Sequence, residues 1–366
     1  MNNSTQRLVR TLVSVSVLSL VATLSWSQSL TWLGTLNGSY SRANGVSDNG
    51  VVVGDINPNF QQRGFRWQNG VMQLIGDQPD VIVSSARGVS ADGSVVVGDM
   101  NLGAAGIRAY RWQNGVMQDL GHLHSGSTGA LGVSADGSVV VGYSRLRTGD
   151  FRAFRWQNGV MQDLGTLRYG NSQANGVSAN GTVVVGTADN NYRAFRWQNG
   201  VMQDLGTLGG RDAAAYAVSA DGSVVVGAAY NAQSQYIAFR WQNNTMQALG
   251  TLGRQSSLAT AVSADGARIV GWARDEDGRR ETGFLWTPTD GMQDLNLLYA
   301  QLLSPRSSLS SPLAISPNGR YIVGQGFNGQ TNQLEAFILD TVPEPASMIA
   351  LGAGLTGLLA LRRRRS

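Results

Sequence analysis

One phrase occurs seven times in this chain, and that repetition constrains the fold more than any other feature. The phrase Gly-Val-Ser-Ala-Asp-Gly-Ser-Val-Val-Val-Gly occupies residues 88–98 and recurs at residues 132–142. Variants surround five further serines, and successive serines lie 41 to 53 residues apart. The seven serines are Ser47, Ser90, Ser134, Ser178, Ser219, Ser263 and Ser316. A period of about 40 to 50 residues is typical of a propeller, a solenoid or a tandem array. A residue present in most copies is therefore expected to build the repeat.

Each repeat contains the signals for two β-hairpins. The second phrase, at residues 194–208, reads Ala-Phe-Arg-Trp-Gln-Asn-Gly-Val-Met-Gln-Asp-Leu-Gly-Thr-Leu. Asn-Gly here, and Asp-Gly in the first phrase, are strong signals for two-residue hairpin turns. If Asn114 and Gly115 form such a turn, Trp112 pairs with Met117 and Arg111 with Gln118. One repeat is then a four-stranded meander.

Short strands with tight turns cannot bury both sheet faces unless the sheets stack around an axis. The sequence therefore predicts an all-β, seven-bladed β-propeller over residues 28–341. A solenoid fits less well, because its coils are shorter than a unit of two hairpins. Residues 30–36 match the fourth strand of a repeat, and the last copy ends with its third strand at residues 336–340. The N-terminal strand is thus predicted to complete the last blade and close the ring.

Composition excludes several classes of protein. The chain has no cysteine, so neither disulfides nor thiol chemistry arise. The formal net charge is +4, but six basic residues lie in the two terminal segments, which leaves the repeats close to neutral. A nucleic-acid-binding face, which needs clustered basic residues, is not expected. No cofactor is expected either.

The N-terminal residues 1–27 have the pattern of a secretory signal peptide. Arg7 and Arg10 precede an apolar run at residues 12–24, and small residues surround Trp26. We expect cleavage after Ser27. A retained membrane anchor is the alternative.

The C-terminal residues 342–366 contain three parts in order. Val342, Pro343, Glu344 and Pro345 form a short motif; sixteen apolar or small residues follow, and Arg362, Arg363, Arg364 and Arg365 end the segment before Ser366. A helix of sixteen residues spans about 24 Å, slightly less than a hydrocarbon core of about 30 Å. The arginines should stay cytoplasmic and leave the repeats outside.

This tail resembles the PEP-CTERM sorting signal of bacterial surface proteins. The resemblance implies an exosortase-type processing enzyme as a partner, an initial membrane anchor, and release to the cell surface or beyond. An ordinary C-terminal transmembrane anchor is the alternative.

The repeats resemble the HAF family of bacterial extracellular repeat proteins. The triplet that names the family reads Arg-Ala-Phe at residues 152–154 and 193–195, so its histidine is absent here. The Phe-Arg-Trp and Asp-Leu-Gly-Thr-Leu segments are also similar. The resemblance implies an exported repeat protein with no established activity.

The repeated charged and aromatic side chains are interpreted as structural. Arginines between two aromatic residues could pair with repeated aspartates of the neighbouring blade, since a buried charge needs a partner. A ring of arginines that binds an anionic polymer is the alternative. The residues of this motif are Arg111, Trp112, Arg155, Trp156, Arg196, Trp197, Arg240 and Trp241.

Other candidate sites are weak. His122 and His124 supply two metal ligands without a third. The Asp-Gly aspartates superficially resemble the Asp boxes of sialidases, but a turn explains them. A loop with Asp275, Glu276 and Glu281 could serve a glycosidase or Ca²⁺, although a solvated hairpin tip explains it equally. No convincing catalytic set is found.

The links between hairpins vary, whereas the turns within hairpins repeat. Strand alternation places all links on one face of the ring, here called the linked face, and all tight turns on the other, the turn face. Variable loops on a rigid scaffold usually carry recognition. We therefore expect a binding or structural component of the envelope or exopolysaccharide matrix, with polysaccharide or another surface protein as partner. The alternative is a glycosidase or lyase on a propeller scaffold.

Overall fold

The computed structural model describes residues 28–341 apart from Ser125, Asn191, Arg279 and the side chain of Phe60. These residues form seven four-stranded antiparallel sheets, which confirms the predicted seven-bladed propeller. The predicted signal peptide and sorting tail lie outside the described residues. Among the residues that are described, no helix is long and apolar enough to cross a membrane.

The strands follow one another with little other structure. In the first half of the chain they are β1 (Ser29–Trp32), β2 (Ser41–Val46), β3 (Val52–Ile56), β4 (Arg63–Gln68), β5 (Val71–Ile75), β6 (Val83–Val89), β7 (Val95–Asn101), β8 (Ile107–Gln113), β9 (Val116–Asp119), β10 (Thr128–Val133), β11 (Val139–Arg145), β12 (Phe151–Gln157), β13 (Val160–Asp163) and β14 (Gln173–Val177). In the second half they are β15 (Val183–Ala188), β16 (Arg193–Gln198), β17 (Val201–Asp204), β18 (Gly209–Val218), β19 (Val225–Asn231), β20 (Tyr236–Gln242), β21 (Thr245–Gly250), β22 (Ser256–Val262), β23 (Ile269–Arg274), β24 (Glu281–Thr287), β25 (Gly291–Asp294), β26 (Ser308–Ile315), β27 (Tyr321–Asn328) and β28 (Gln333–Asp340). One helical turn, α1 (Leu295–Leu298), and short 3₁₀ turns at Pro58–Phe60, Gly103–Ala105 and Ala300–Leu302 complete the structure.

Six blades contain four consecutive strands each, and the seventh is built from both ends of the domain. Blades 1 to 6 start at β2, β6, β10, β14, β18 and β22, and the first strand of each lies innermost. In blade 7 the order is β26, β27, β28 and then β1. Ser29 pairs with Asp340 and Trp32 with Phe337. The predicted closure by the N-terminal strand is confirmed.

The outer hairpins have the predicted turn and register. Asn114 and Gly115 both have positive φ, 51° and 81°, as a type I′ turn requires. Arg111 lies opposite Gln118 and Trp112 opposite Met117. The Asn-Gly dipeptide therefore fixes which face each side chain occupies.

The inner hairpins differ from the two-residue turn predicted at Asp-Gly. In the turn of residues 90–95 only Gly93 has positive φ, and the amide of Ser90 donates to the carbonyl of Val95. The Ser90 hydroxyl donates to Asp92 Oδ1 (2.6 Å) and accepts from the Val95 amide (2.9 Å). Asp92 also accepts from the Ser94 amide (3.0 Å). These side-chain bonds organise a four-residue turn, and the Ser90 hydroxyl lowers the pKa of Asp92.

Replacing Asn199 and Gly200 together with alanine should destabilise the propeller by on the order of 1 kcal/mol or more. Both residues have positive φ, 51° and 83°, which alanine resists, although the added Cβ of Gly200 meets no neighbour. Urea denaturation measures the change, and an unaltered midpoint would refute the I′ conformation.

The hydrophobic core lies between blades. Valines of the second strand of one blade pack against an aromatic residue of the third strand of the next, as Val183 and Val185 do with Phe239. All three side chains are fully buried. The equivalent fully buried aromatic residues are Phe65, Tyr110, Phe154, Phe195, Phe284 and Phe337. Each blade thus depends on both neighbours for burial.

A ring of hydrogen bonds connects the inner turns around the axis. The amides of Asp48, Ala91, Ala135, Ala179, Ala220 and Ala264 each donate to the carbonyl of the equivalent residue in the next blade, at 2.8–3.1 Å. The seventh equivalent is Pro317, which has no amide hydrogen. Asn318 donates its amide instead to Asp48 Oδ1 (2.7 Å). The Asp48 carboxylate therefore completes the ring at the point where Pro317 has no amide hydrogen to donate.

Candidate functional site

The repeated arginines bond to the backbone of the neighbouring blade, not to its aspartates. Nε of Arg111, Arg155 and Arg196 donates to the glycine carbonyl of the next inner turn, at 3.0, 2.9 and 3.1 Å. Partial burial lowers the pKa of Arg155 and Arg196. The proposed Arg–Asp pairs between blades are wrong for these three arginines. The tryptophans beside them, Trp156, Trp197 and Trp241, are buried, while Trp112 is half-buried.

The repeated aspartates remain within their own blade. Asp119 lies 3.7 Å from Arg108 Nε and accepts a bond from the Gly121 amide (2.8 Å). Asp204 lies 3.7 Å from Arg193 Nε in the same way. A local arginine and a local amide satisfy each carboxylate, so a neighbouring blade is not needed.

The weak candidates of the sequence do not form a centre. His122 and His124 are both exposed, and the described residues include no group of three potential metal ligands. Asp275 lies in the tip between β23 and β24, where Arg254 Nη1 contacts it at 2.5 Å. Glu281 pairs with Arg274 and accepts a bond from Ser311.

A cavity of about 120 Å³ lies on the axis at the turn end, and the side chains that line it are apolar. Two stacked rings line it, one of valine or isoleucine and one of alanine or proline. The lining residues are Val89, Val133, Val177, Val218, Val262, Ile315, Ala91, Ala135, Ala179, Ala220, Ala264 and Pro317. These side chains offer packing without polar chemistry.

The linked end of the channel differs from blade to blade. Each innermost strand has a bulge, and the extra residue is half-buried and of five different types over the seven blades. The residue after the closing glycine of the second strand also varies. The bulge residues are Asn44, Arg87, Leu131, Asn175, Tyr216, Thr260 and Leu313. The residues after the closing glycine are Asp55, Asp99, Tyr143, Thr187, Ala228, Trp272 and Gln325. We call these two sets together the channel mouth.

Charged groups of the channel mouth converge on blades 1 to 3. Asn44 Nδ2 donates to Asp55 Oδ2 and to the carbonyl of Ala86 in the next blade, both at 2.9 Å. Arg87 Nε donates to Asp99 Oδ1 at 3.1 Å. The charges of Arg87 and Asp99 both act on the Tyr143 phenol. We call Asn44, Asp55, Arg87, Asp99 and Tyr143 the mouth cluster.

Asp55 is the most unusual member of the mouth cluster. Its exposed fraction is 5%, and Oδ1 has no hydrogen-bond partner. Burial raises the pKa of Asp55, an effect that the Arg87 charge opposes only in part. Burial alone would lower the pKa of Arg87, but the Asp99 and Asp55 carboxylates raise it. A buried acceptor without a donor destabilises the fold.

Replacing Asp55 with asparagine should raise the free energy of unfolding near pH 7. Because the folded pKa is raised, the wild-type protein loses stability as the pH rises from the unfolded value of about 3.9 through the folded one. Asparagine has no such loss, so the two proteins should converge below about pH 4. Urea titrations from pH 3 to 8 measure this, and a pH-independent difference would disprove the raised pKa.

Aromatic groups line the mouth on blades 5 and 6. Tyr216 and Tyr236 hydroxyls lie 3.5 Å apart, and the Tyr236 ring is 5.0 Å from that of Tyr230. Burial and then the neighbouring Tyr216 raise the pKa of Tyr236. On blade 6 the Arg274 guanidinium lies over the Trp272 ring, 4.5 Å from its centroid. This side offers flat apolar surfaces with polar edges.

The channel mouth was not predicted from the sequence, because repeated residues and the links between hairpins were taken as the informative features. The informative signal is the reverse: single positions inside uniform strands that change between copies. Asp55 and Asp99 follow the same Val-Val-Val-Gly in two copies, where the other copies have Tyr143, Thr187, Ala228, Trp272 and Gln325. Such a position lies beside the innermost strands without being needed for the repeat.

The fold and the site define a seven-bladed β-propeller with a symmetry-breaking mouth, and the tail adds a sorting address. Residues 341–365 match the model of the PEP-CTERM protein-sorting motif, a signal that exosortase-type enzymes recognise. The protein is accordingly exported and sorted to the surface. No curated protein matches the chain.

Solved structures are similar in fold. The β-propeller domain of the Trilobed protease from Pyrococcus furiosus, described as having an open velcro topology, aligns with a TM-score of 0.54 and 9% identity over 84% of this chain and 97% of its own. TolB from Acinetobacter baumannii aligns at 0.48 and 16% identity over 69% of this chain and 64% of its own. The protein described as putative TolB from Agrobacterium tumefaciens aligns at 0.47 and 14% identity over 74% and 94%. At these identities the likeness concerns the fold alone.

Proposed function

We propose that this surface-sorted propeller binds an extracellular polysaccharide through the channel mouth and acts without catalysis. The observation that carries the proposal is the half-buried Arg87–Asp99 pair, whose side chains are 36% and 18% exposed, beside the Tyr143 phenol at the channel mouth. A sugar presents hydroxyl donors and acceptors around an apolar ring face. The mouth supplies matching acceptors and donors on blades 1 to 3 and aromatic rings on blades 5 and 6.

Position on the ring also supports a binding role. The mouth lies among the variable links, on a scaffold whose strands and inner turns repeat almost unchanged. We also propose that the repeats belong to the HAF family, because the Phe-Arg-Trp and Asp-Leu-Gly-Thr-Leu segments are similar to that family. The expected partner is an exopolysaccharide of the bacterium that produces the protein, or another surface protein.

The binding proposal is tested with a glycan array and calorimetry on residues 28–341. Asp99→Asn and Tyr143→Phe keep side-chain shape while changing one polar atom each. We expect at least a roughly fivefold loss of affinity for each, equivalent to about 1 kcal/mol. Tyr169→Phe, a change at a tyrosine that is 65% exposed and outside the mouth cluster, is the control. Unchanged affinity in both mouth variants would refute the proposed site.

An enzyme acting on polysaccharide is the second candidate. Asp55 and Asp99 both interact with Arg87, and burial raises the pKa of Asp55. Paired carboxylates in different environments can divide acid and base roles in glycoside hydrolysis. Release of reducing ends that Asp55→Asn abolishes would favour the enzyme, whereas binding without product release would favour the binding protein.

Sorting is tested by replacing Glu344 and Pro345 with alanine. These changes leave every apolar residue of the following run intact, so insertion should persist while recognition by the processing enzyme fails. In a host with that enzyme, the native protein should lose residues 346–366 and leave the inner membrane. Intact mass and membrane fractionation measure this. If the native protein stays full-length in the membrane like the mutant, the tail is an ordinary membrane anchor and not a processed sorting signal.

A further inference from the structure

Three arginine–carboxylate pairs on the linked face share one arrangement. They are Arg87–Asp99 on blade 2, Arg211–Asp212 on blade 5 and Arg274–Glu281 on blade 6. In each pair the arginine is the more exposed side chain. The arginines are 36%, 78% and 40% exposed, and their carboxylate partners are 18%, 15% and 23% exposed. A ligand that approaches this part of the linked face therefore meets guanidinium groups before it meets carboxylates.

Ion pairs further from the axis have the opposite order. The three arginines above lie on the first or second strand of their blades. At the end of the outermost strands the carboxylate is the more exposed partner, as for Asp119 (45%) beside Arg108 (21%). Two further pairs of this kind are Arg63–Asp77 and Arg193–Asp204. An exposed arginine in front of a less exposed carboxylate is thus not a general property of ion pairs in this protein.

The surrounding side chains hold these guanidinium groups in place. Nε of Arg211 lies 2.9 Å from Asp212 Oδ2, and the guanidinium lies over the Tyr230 ring, 5.5 Å from its centroid. The guanidinium of Arg274 lies over the Trp272 ring in a similar way. A bond at Nε leaves the two Nη groups, and their fork matches the paired oxygens of a carboxylate or sulfate group. Donors that are fixed in advance lose less conformational entropy when a ligand binds.

From this geometry we propose that the polysaccharide bound at the channel mouth is acidic, and that Arg87, Arg211 and Arg274 bind its carboxylate or sulfate groups. The inference rests on the proposed function and names the class of ligand. One acidic group occupies one guanidinium fork. Forks on three separate blades therefore suit a chain that carries acidic groups on successive sugars, since several weak contacts then act together.

The ligand class is tested by calorimetry on the full-length protein in a nonionic detergent. The probes are the exopolysaccharide of the producing bacterium, the same polymer after chemical reduction of its carboxyl groups to alcohols, and the same polymer after desulfation. We expect one of the two treatments to weaken binding at least roughly tenfold, because it removes hydrogen bonds to a charged group. The treatment that does so identifies carboxylate or sulfate as the group bound.

Two results would overturn the inference while leaving polysaccharide binding in place or reassigning it. Equal affinity for the native and both treated polymers would show that acidic groups are not recognised, although the proposed function would stand. Polyglutamate that binds as tightly as the native polymer would identify an acidic protein as the partner. A native polymer that does not bind at all would overturn the proposed function and this inference together.

Variants of Arg211 test the guanidinium fork. Arg211→Gln should weaken binding of the native polymer at least roughly fivefold and leave binding of the polymer without acidic groups unchanged. Arg211→Lys keeps the charge without the fork and should fall between Arg211→Gln and the wild-type protein. The matched control is Arg306→Gln, an equal loss of charge at an exposed arginine in the link between blades 6 and 7. Unchanged binding by Arg211→Gln, or an equal loss with Arg306→Gln, would overturn the proposal.

Discussion

A chain that lacks Ser29–Trp32 should melt on the order of 10 °C below the wild-type protein. β1 covers the outer edge of β28, and Leu30 and Trp32 pack against a core cluster that includes Phe337 and Leu339. The Trp32 ring meets Phe337 edge to face, with centroids 6.1 Å apart. Losing the burial of these two large side chains and the pairing of the β28 edge costs roughly 4 kcal/mol, which gives a shift of that order in a domain of this length.

The matched control for this deletion starts at Gln28 and so removes only the preceding residues. Because this control keeps β1, its melting temperature should equal that of the wild-type protein. If both proteins unfold at the same temperature, blade 7 does not need its fourth strand, and closure by β1 contributes nothing to stability.

Gly142→Ala should destabilise the propeller by about 3 kcal/mol or more. Gly142 closes the Val-Val-Val-Gly strand of blade 3, where an added Cβ would lie 1.9 Å from the carbonyl oxygen of Gly129. The obstructing atom is backbone in the bulged innermost strand, so no side-chain rotation relieves the contact. The same contact recurs in other blades, at 1.9 Å for Gly54 and Gly98.

Gly159→Ala is the control for this substitution. Gly159 has a φ of 81° but no atom within 4 Å of an added Cβ, so only the backbone preference opposes alanine. The expected loss is about 1 kcal/mol. Chemical denaturation of the two variants separates the effect of steric crowding from that of backbone conformation. Equal losses of stability would show that the bulged strand moves to accommodate the added Cβ.

Most of the fold was predictable because local and global signals agree in every copy. The Asn-Gly turns set the outer register, and the split last repeat predicted the closure by β1. The inner turn was not predictable in detail, since its geometry depends on bonds from Ser90 and Asp92 to backbone amides. The partners of Arg111 were missed for a similar reason: a glycine carbonyl carries no sequence signal.

The candidate site was much less predictable. Asp55 and Asp99 lie in different blades, and only the ring brings both to Arg87. A repeat analysis treats their positions as ordinary strand residues. What sets Asp55 apart is a buried carboxylate oxygen without a partner, which depends on the surrounding blades.

Hydrogen exchange in the presence of the host exopolysaccharide tests the central claim most directly. Peptides covering residues 42–56, 84–100 and 143–152 should gain protection if the mouth binds the polymer, because these segments carry the mouth cluster and the neighbouring links. Turn-face peptides around residues 114–116 and 158–160 should exchange as in the free protein. Protection confined to the turn face, or no protection at saturating polymer, would contradict binding through the channel mouth.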